Sequence, residues 1–198
     1  MRVGVVGATG LVGTEMLRIL EERAFPVDEL RAYASPRSEG RTLPFAGGEV
    51  TCEVLRAGCF DGLDLVVIDV DDPLALEWAP EAVAAGATVV DNSAAFRADP
   101  DVPLVVAEVN PEDVRDAPKG IIACPNCTTM VLLTALAPLH RAATIRRMVV
   151  ASYQAVSGAG QPGMHELAEQ WVKGSGREEI LRRAAAIPGT IEPGEVWP

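Results

Sequence analysis

Cys127 is the residue of this chain best placed for chemistry, because it stands where a strand pattern gives way to a helix pattern in the run Ala-Cys-Pro-Asn-Cys-Thr-Thr. A helix dipole favours the thiolate form of a cysteine at its N-terminus, and the thiolate is the nucleophilic form. Such a thiolate can attack an aldehyde or an acyl phosphate and become covalently acylated. Two alternatives stay open, a C-x-x-C redox pair with Cys124 and a buried cysteine with a structural role.

A glycine-rich turn follows the first strand pattern and opens a helix, with the spacing G-x-x-G-x-x-G over residues 7–13. Gly7 permits a tight turn, Gly10 lets the backbone approach a pyrophosphate, and Gly13 lets helix and strand pack closely. The N–H groups and the positive end of the helix would hold the anion. The turn therefore predicts dinucleotide binding, with an ordinary strand–helix turn as the alternative.

An arginine flanked by serines follows the second strand pattern, in Ser35-Pro-Arg37-Ser38. Most NAD-binding units have an acidic residue here, which binds the ribose hydroxyls. A guanidinium binds phosphate through two hydrogen bonds, so this segment suits the 2′-phosphate of NADP, with a solvated loop arginine as the open alternative. Beside a nicotinamide ring, the Cys127 thiolate predicts hydride exchange at the acylated carbon.

The elements that must position these residues alternate between strand and helix patterns. Strand patterns cover 3–6, 29–34, 63–68, 88–91, 104–107 and 121–124, and helix patterns cover 11–23, 74–85 and 128–140. This alternation predicts parallel strand–helix–strand units in a doubly wound sheet. Beyond residue 147 the patterns predict a strand over 148–154, a glycine-rich loop over 157–163, and helices over 164–173 and 178–186.

The composition excludes several classes of protein. The 198 residues carry a net charge of −11, with 28 acidic residues against 17 basic ones, which argues against nucleic-acid and membrane-surface partners. Four cysteines are too few for a disulfide framework, no signal peptide is visible, and no apolar run reaches about 18 residues. We therefore expect a cytoplasmic protein with a small-molecule substrate and without a metal site.

Five motifs occur in a single order along the chain. They are Gly7-Ala-Thr-Gly10-x-x-Gly13, Ser35-x-Arg37-Ser38, Asp91-Asn92-Ser93, Pro125-Asn-Cys-Thr-Thr129 and Ser152-Tyr-Gln-Ala-Val-Ser-Gly158. Together they resemble aspartate-semialdehyde dehydrogenase over about residues 1–172, and the last two motifs are the specific ones.

The resemblance implies an NADP-dependent oxidoreductase that converts L-aspartyl 4-phosphate to L-aspartate 4-semialdehyde through a cysteine acyl-thioester, on the route to lysine, threonine and methionine. It also implies an α/β fold, a Rossmann-like doubly wound parallel sheet followed by the truncated start of an α+β substrate and dimerisation domain. We place the NADP-binding domain at 1–128 and the incomplete second domain at 129–198. Members of the family are expected to form homodimers.

The resemblance also assigns roles to single residues. Cys127 forms the thioester, Gln154 orients the substrate, and Arg97 and Asn126 bind the substrate or its phosphate. From the residues alone, Arg97 is a candidate anion-binding group at a strand end with a surface arginine as the alternative, and Gln154 would be a polar residue at a strand end. The expected cofactor-binding residues are Gly7, Thr9, Gly10, Leu11, Val12, Gly13, Ser35, Arg37, Ser38, Ser157 and Gly158.

Three departures from the family pattern bear on activity. The family's acid–base histidine and substrate-carboxylate arginine come from a region that this sequence does not contain, and His140, on the Leu-rich helix pattern, has the character of a structural residue. An acidic segment at 69–72 replaces a small turn near the cofactor, so its carboxylates either repel phosphates or face solvent. Cys124 stands where asparagine is common.

Two other functions compete with the dehydrogenase. One is a non-catalytic homologue that binds nucleotide or serves as an interaction module, and the other is a thiol redox switch. A strand over 148–154 without a neighbour would also favour self-association.

Overall fold

A seven-stranded sheet dominates the computed structural model, which describes residues 1–173. The strands are β1 (Arg2–Val6), β2 (Glu29–Ala34), β3 (Thr42–Phe45), β4 (Gly48–Val54), β5 (Leu65–Ile68), β6 (Thr88–Asp91) and β7 (Ile121–Ala123). Their order across the sheet is β3-β4-β2-β1-β5-β6-β7, and every neighbouring pair is parallel except β3 and β4.

Two helices, α1 (Leu11–Glu22) and α2 (Asp72–Ala84), cover opposite faces of this sheet. The other helices within the described residues are α3 (Cys127–Ala143) and α4 (Gly160–Lys173), with short 3-10 turns at Pro36–Ser38, Pro111–Arg115 and Val156–Ala159. Leu17 of α1 packs in one cluster with Val3 and Val5, whereas Ala75 of α2 packs in the other with Val6. Because successive strand side chains point to opposite faces, α1 and α2 lie on opposite sides of β1. The predicted Rossmann-like doubly wound sheet is therefore confirmed.

A hairpin at one edge of the sheet was not predicted. Strands β3 and β4 pair from Phe45 opposite Gly48, and the two residues between them, Ala46 and Gly47, both have positive φ, at 52° and 74°. Two-residue hairpin loops of this kind match the natural twist of the strands. The signal in the sequence was the pair of glycines between two short alternating runs.

Two predicted strands are wrong. Residues 148–154 form no strand, and Val149 and Tyr153 are 84% and 99% exposed. A strand needs a hydrogen-bonded neighbour, and the apolar pattern of this segment does not supply one by itself. The segment 104–107 makes only an isolated bridge, from Leu104 to Ala123. An unpaired strand edge at 148–154, the expected cause of self-association, is therefore absent.

The described chain falls into two units, Met1–Tyr153 and a second that begins at Gln154. The first contains the whole sheet, and the second contains α4, in agreement with the helix predicted over 164–173. The domain boundary predicted after residue 128 stays a prediction. The helix predicted over 178–186 lies outside the described residues. Within residues 1–173, no helix is both long enough and apolar enough to cross a membrane.

Candidate active site

The candidate site lies where four adjacent parallel strands end. Gly7 follows β1, Asp69 follows β5, Asn92 follows β6 and Cys124 follows β7. The carboxyl ends of parallel strands share one edge of a sheet, and this edge is where ligands of doubly wound folds bind. The topology therefore brings the glycine-rich turn and the cysteine loop to the same edge.

The glycine-rich turn has the geometry that close approach requires. Gly7 has φ +88°, and its N–H and that of Ala8 donate to the carbonyl of Tyr33 at the end of β2, at 3.0 and 3.1 Å. A Cβ atom on Gly13 would lie 2.2 Å from the Gly7 carbonyl oxygen, so only glycine fits there. Helix α1 begins directly after Gly10, and the N–H groups of its first turn have no intrahelical partner. These groups are available to an anion.

Ser35, Arg37 and Ser38 form the connection after β2, beside the glycine-rich turn. The N–H of Ser38 donates to the Ser35 carbonyl at 2.8 Å, which closes the 3-10 turn Pro36–Ser38. The Arg37 side chain is exposed, and it makes no hydrogen bond or ion pair with any residue of 1–173. A guanidinium left free in this way is available to a phosphate group, and its role in binding the 2′-phosphate of NADP stays a prediction.

Cys127 is the first residue of α3 and is exposed. Its predecessor Asn126 is the N-cap, whose Oδ1 accepts from the Thr128 N–H at 3.0 Å and from the Thr128 hydroxyl at 2.6 Å. The Cys127 Sγ lies 3.9 Å from the same oxygen. The cap thus fixes the start of the helix and leaves the thiol open to a ligand, as a nucleophile requires.

Cys124 has a different environment from Cys127. It is half-buried, and burial raises the pKa of its thiol, with the Asp91 carboxylate acting in the same direction and the Arg97 guanidinium against it. All four cysteines are free thiols in the structure, the Cys124–Cys127 pair included. The two cysteines therefore differ as nucleophiles, and Cys127 is the accessible one.

Arg97 lies against the cysteine loop. Its Nε donates to the Cys124 carbonyl at 2.8 Å, and its Nη2 donates to the Asn92 carbonyl at 2.9 Å. The guanidinium thereby joins the ends of β6 and β7, and its Nη1 makes no hydrogen bond within the described residues. The alternative of a solvated surface arginine is wrong, because the side chain is half-buried and bound at two points.

Asp91 is a polar residue of this site to which the sequence analysis gave no role. Its carboxylate is fully buried and accepts from the Ser93 hydroxyl at 2.7 Å and from the Ser93 N–H at 3.2 Å. Burial raises the pKa of this carboxyl, and the two hydrogen bonds from Ser93 oppose the rise. The sequence could have predicted this contact, since an aspartate at a strand end commonly forms such a local turn with a serine two residues later.

In the acidic segment 69–72, Asp72 is exposed, as the solvent-facing alternative expects, and Asp69 is half-buried. Both carboxylates accept hydrogen bonds from the residues that follow β6. Asp71 is exposed and its carboxylate makes no hydrogen bond within the described part of the chain. Long-range bonds of this kind leave no signal in the local sequence.

Gln154, Ser157 and Gly158 lie together in the second unit. Gln154 comes just before the 3-10 turn Val156–Ala159, and the Gly158 N–H donates to the Ala155 carbonyl at 3.0 Å. A Cβ atom on Gly158 would lie 1.8 Å from Nε2 of Gln154, so the amide lies directly against this glycine. Gln154 is exposed and is not the end of a strand, which corrects one alternative given above.

His140 has a structural contact, as its sequence context predicted. Its Nδ1 accepts from the Ile145 N–H at 3.2 Å, just beyond the C-terminus of α3. That bond helps to end the helix at Thr144, which has φ +46°.

Comparison with known proteins identifies the family. A family model for the NAD binding domain of semialdehyde dehydrogenases matches residues 2–117, and one for their dimerisation domain matches residues 136–193. Aspartate-semialdehyde dehydrogenase of Aquifex aeolicus is 52% identical over 178 residues, which are 87% of this chain and 52% of that protein. The chain spans about half the length of the curated relatives it matches.

Solved structures agree with this assignment. The crystal structure of aspartate semialdehyde dehydrogenase II from Vibrio cholerae complexed with ASA superposes with a TM-score of 0.84 at 45% identity, covering 87% of this chain and 52% of that one. The enzyme of Candida albicans with NADP superposes with a TM-score of 0.62 at 30% identity, covering 73% of this chain and 48% of that one. The prediction of a nicotinamide cofactor is confirmed by the matched NAD binding domain. The chain belongs to the semialdehyde dehydrogenase family, and its resemblance to aspartate-semialdehyde dehydrogenase is confirmed.

Proposed function

We propose that this chain carries the nucleotide-binding half and the nucleophile of an NADP-dependent aspartate-semialdehyde dehydrogenase, which reductively dephosphorylates L-aspartyl 4-phosphate to L-aspartate 4-semialdehyde. The observation that supports this most is Cys127, an exposed thiol at the first position of α3, in a loop whose Cys124 carbonyl is bound by Arg97. A nucleophile on this loop and a cationic group bound to the same loop suit an acyl phosphate, because the cation can hold the leaving phosphate.

The proposed reaction has two stages. The Cys127 thiolate attacks the acyl carbon, the bond from that carbon to the phosphate oxygen breaks, and inorganic phosphate leaves with the bonding electron pair. NADPH, when bound, supplies a hydride to the acyl carbon of the resulting thioester. The carbon–sulfur bond then breaks, which releases the aldehyde and returns the thiolate. Arg97 would hold the phosphate through Nη1, and Asn126 keeps the thiol at the helix start.

The residues around the glycine-rich turn fit the cofactor. The missing Cβ of Gly13 allows the turn to lie flat against α1, and the first-turn N–H groups of α1 are free to bind the pyrophosphate. Arg37, with Ser35 and Ser38, would hold the 2′-phosphate, which makes NADP the proposed cofactor. The remaining proposed contacts are Gly7, Thr9, Gly10, Leu11, Val12, Ser157 and Gly158.

Further parts of the proposal concern the second unit and the assembly. Gln154 would donate from its amide to the oxygen of the acyl carbon, where charge develops during attack. A homodimer is proposed because residues 136–193 match a dimerisation domain. The proposed location of the enzyme is the cytoplasm.

The test compares Cys127→Ser with Cys124→Ser in the purified protein. NADPH formation from aspartate semialdehyde, NADP and phosphate should be lost in Cys127→Ser and retained in Cys124→Ser, because only Cys127 is exposed. Turnover that persists in Cys127→Ser contradicts the proposal. NADP binding in the unaltered protein, with Cys127 open to alkylation but with neither turnover nor acylation of Cys127 by an acyl phosphate, supports the non-catalytic homologue instead.

A further inference from the structure

Two carboxylates of the acidic segment reach across to the turn after the neighbouring strand. Asp69 Oδ1 accepts from the side-chain amide of Asn92 at 2.7 Å. Asp72 Oδ1 accepts from the N–H of Ala94 at 2.8 Å. These bonds connect the end of β5 to the residues 92–97, hereafter the arginine turn. Hydrogen bonds to a carboxylate are stronger than neutral ones, so the pair holds this turn more firmly than neutral acceptors would.

The arginine turn is also braced from within. The buried Asp91 carboxylate accepts from the Ser93 hydroxyl, whose oxygen in turn accepts from the Ala95 N–H at 3.1 Å. The Arg97 N–H donates to the Ala94 carbonyl at 3.3 Å, which closes the turn. Ala94 is therefore bonded on both sides, to Asp72 through its N–H and to Arg97 through its carbonyl.

These hydrogen bonds fix the position of Arg97. Its guanidinium bonds the carbonyls of Asn92 and Cys124 and leaves Nη1 without a partner in the described residues. Displacement of the arginine turn would move that nitrogen together with the Cys124 carbonyl, and hence the loop that leads to Cys127.

Electrostatics alone would disfavour carboxylates at this edge. Two negative charges near a site for an anion weaken its binding, although solvent screens the effect at an exposed edge. The hydrogen bonds that Asp69 and Asp72 accept hold the arginine turn in place, which explains why carboxylates occur at this edge of the sheet.

We propose that Asp69 and Asp72 are positioning residues, which hold the arginine turn so that Nη1 of Arg97 faces the phosphate of the substrate. This inference rests on the proposed function, in which Arg97 binds that phosphate.

Removing either carboxylate should weaken phosphate binding if the carboxylate positions Arg97, and should strengthen it if the carboxylate only repels the anion. The test uses this difference. In the 198-residue chain, calorimetric titration with inorganic phosphate should show about fivefold to tenfold weaker binding for Asp69→Ala and for Asp72→Ala, the effect of losing one hydrogen bond of ordinary net strength. Simple repulsion predicts tighter binding for both variants. Asp69→Asn and Asp72→Asn keep an acceptor oxygen and lose the charge, so they should weaken phosphate binding less than the alanine variants do.

Asp71→Ala is the matched control, because its carboxylate lies in the same segment and makes no hydrogen bond within residues 1–173. It should leave phosphate affinity unchanged or slightly raise it. In an Arg97→Ala background, Asp72→Ala should have no further effect on phosphate affinity, since the two residues act through one contact chain. A merely structural role would instead lower the free energy of unfolding and leave phosphate affinity intact.

The outcomes distinguish a failure of this inference from a failure of the proposed function. If Arg97→Ala weakens phosphate binding and the two aspartate-to-alanine variants bind as tightly as the unaltered chain, the inference is overturned and the proposed function stands. If Arg97→Ala binds phosphate normally, the proposed role of Arg97 fails, and this inference fails with it.

Discussion

Gly13→Ala provides the sharpest test of the glycine-rich turn. In an unobstructed helix, alanine in place of glycine stabilises the fold by roughly 0.5–1 kcal/mol. Here the new Cβ would lie 2.2 Å from the Gly7 carbonyl oxygen and 2.8 Å from the Cα of Ala8, well under the 3.0 Å that Cβ atoms keep. Both obstructing atoms are backbone, so the helix or the turn must move. Overpacking typically costs about 1–3 kcal/mol, and we expect a net loss of about 1–2 kcal/mol.

Urea unfolding followed by tryptophan fluorescence measures this loss, and NADPH titration measures its effect on the anion site. Gly10→Ala is the matched control, since its Cβ would lie 3.1 Å from the Gly7 carbonyl oxygen and its φ of −74° suits alanine. We expect Gly10→Ala to unfold within about 1 kcal/mol of the unaltered chain while binding NADPH at least tenfold more weakly. A Gly13→Ala chain as stable as the unaltered one, or more stable, would refute the reasoning.

The remaining predictions concern the cofactor, the helix cap and alkaline stability. Arg37→Ala should lower the ratio of NADPH to NADH affinity at least tenfold, whereas Arg115→Ala, also exposed, should leave the ratio unchanged in the same fluorescence titration. Asn126→Ala should cost about 1 kcal/mol in urea unfolding, because Oδ1 caps α3. Asn126→Asp should keep that stability but slow iodoacetamide alkylation of Cys127, because a carboxylate disfavours the neighbouring thiolate; equal alkylation rates would contradict this. Burial raises the pKa of Tyr33 to about 12 from 10.0, so the unfolded chain ionises first and stability should fall as pH rises from about 10 to about 12. Tyr33→Phe should show a smaller fall in a pH series of urea midpoints.

The local patterns predicted much of the fold. The strands over 29–34 and 88–91 were predicted to the residue, and the start of α3 at Cys127 was predicted to within one. These elements follow from the side-chain periodicity of a buried parallel sheet and from the short-range rules of helix starts. The same rules failed for residues 148–154, because an apolar run forms a strand only where a neighbouring strand accepts its hydrogen bonds.

The candidate site likewise contains features that the sequence could predict and features that it could not. The exposed cysteine at a helix start, the glycine-rich turn and the serine-flanked arginine could be inferred from residue types and spacing, because the local geometry of each depends on backbone within a few positions of it. The contacts of Asp69 and Asp72 with the arginine turn could not, since their partners lie more than twenty residues away in the sequence.

The sequence by itself determined which groups this edge of the sheet can offer: a thiol at a helix start, main-chain N–H groups after glycine, and two arginines. Tertiary structure decided which of those groups are free and which are engaged. Arg37 is left open to solvent, while Arg97 is bound to two carbonyls at the ends of β6 and β7. The physical reason is that a side chain's availability depends on which strand ends lie next to it, and only the order of strands in the folded sheet sets that.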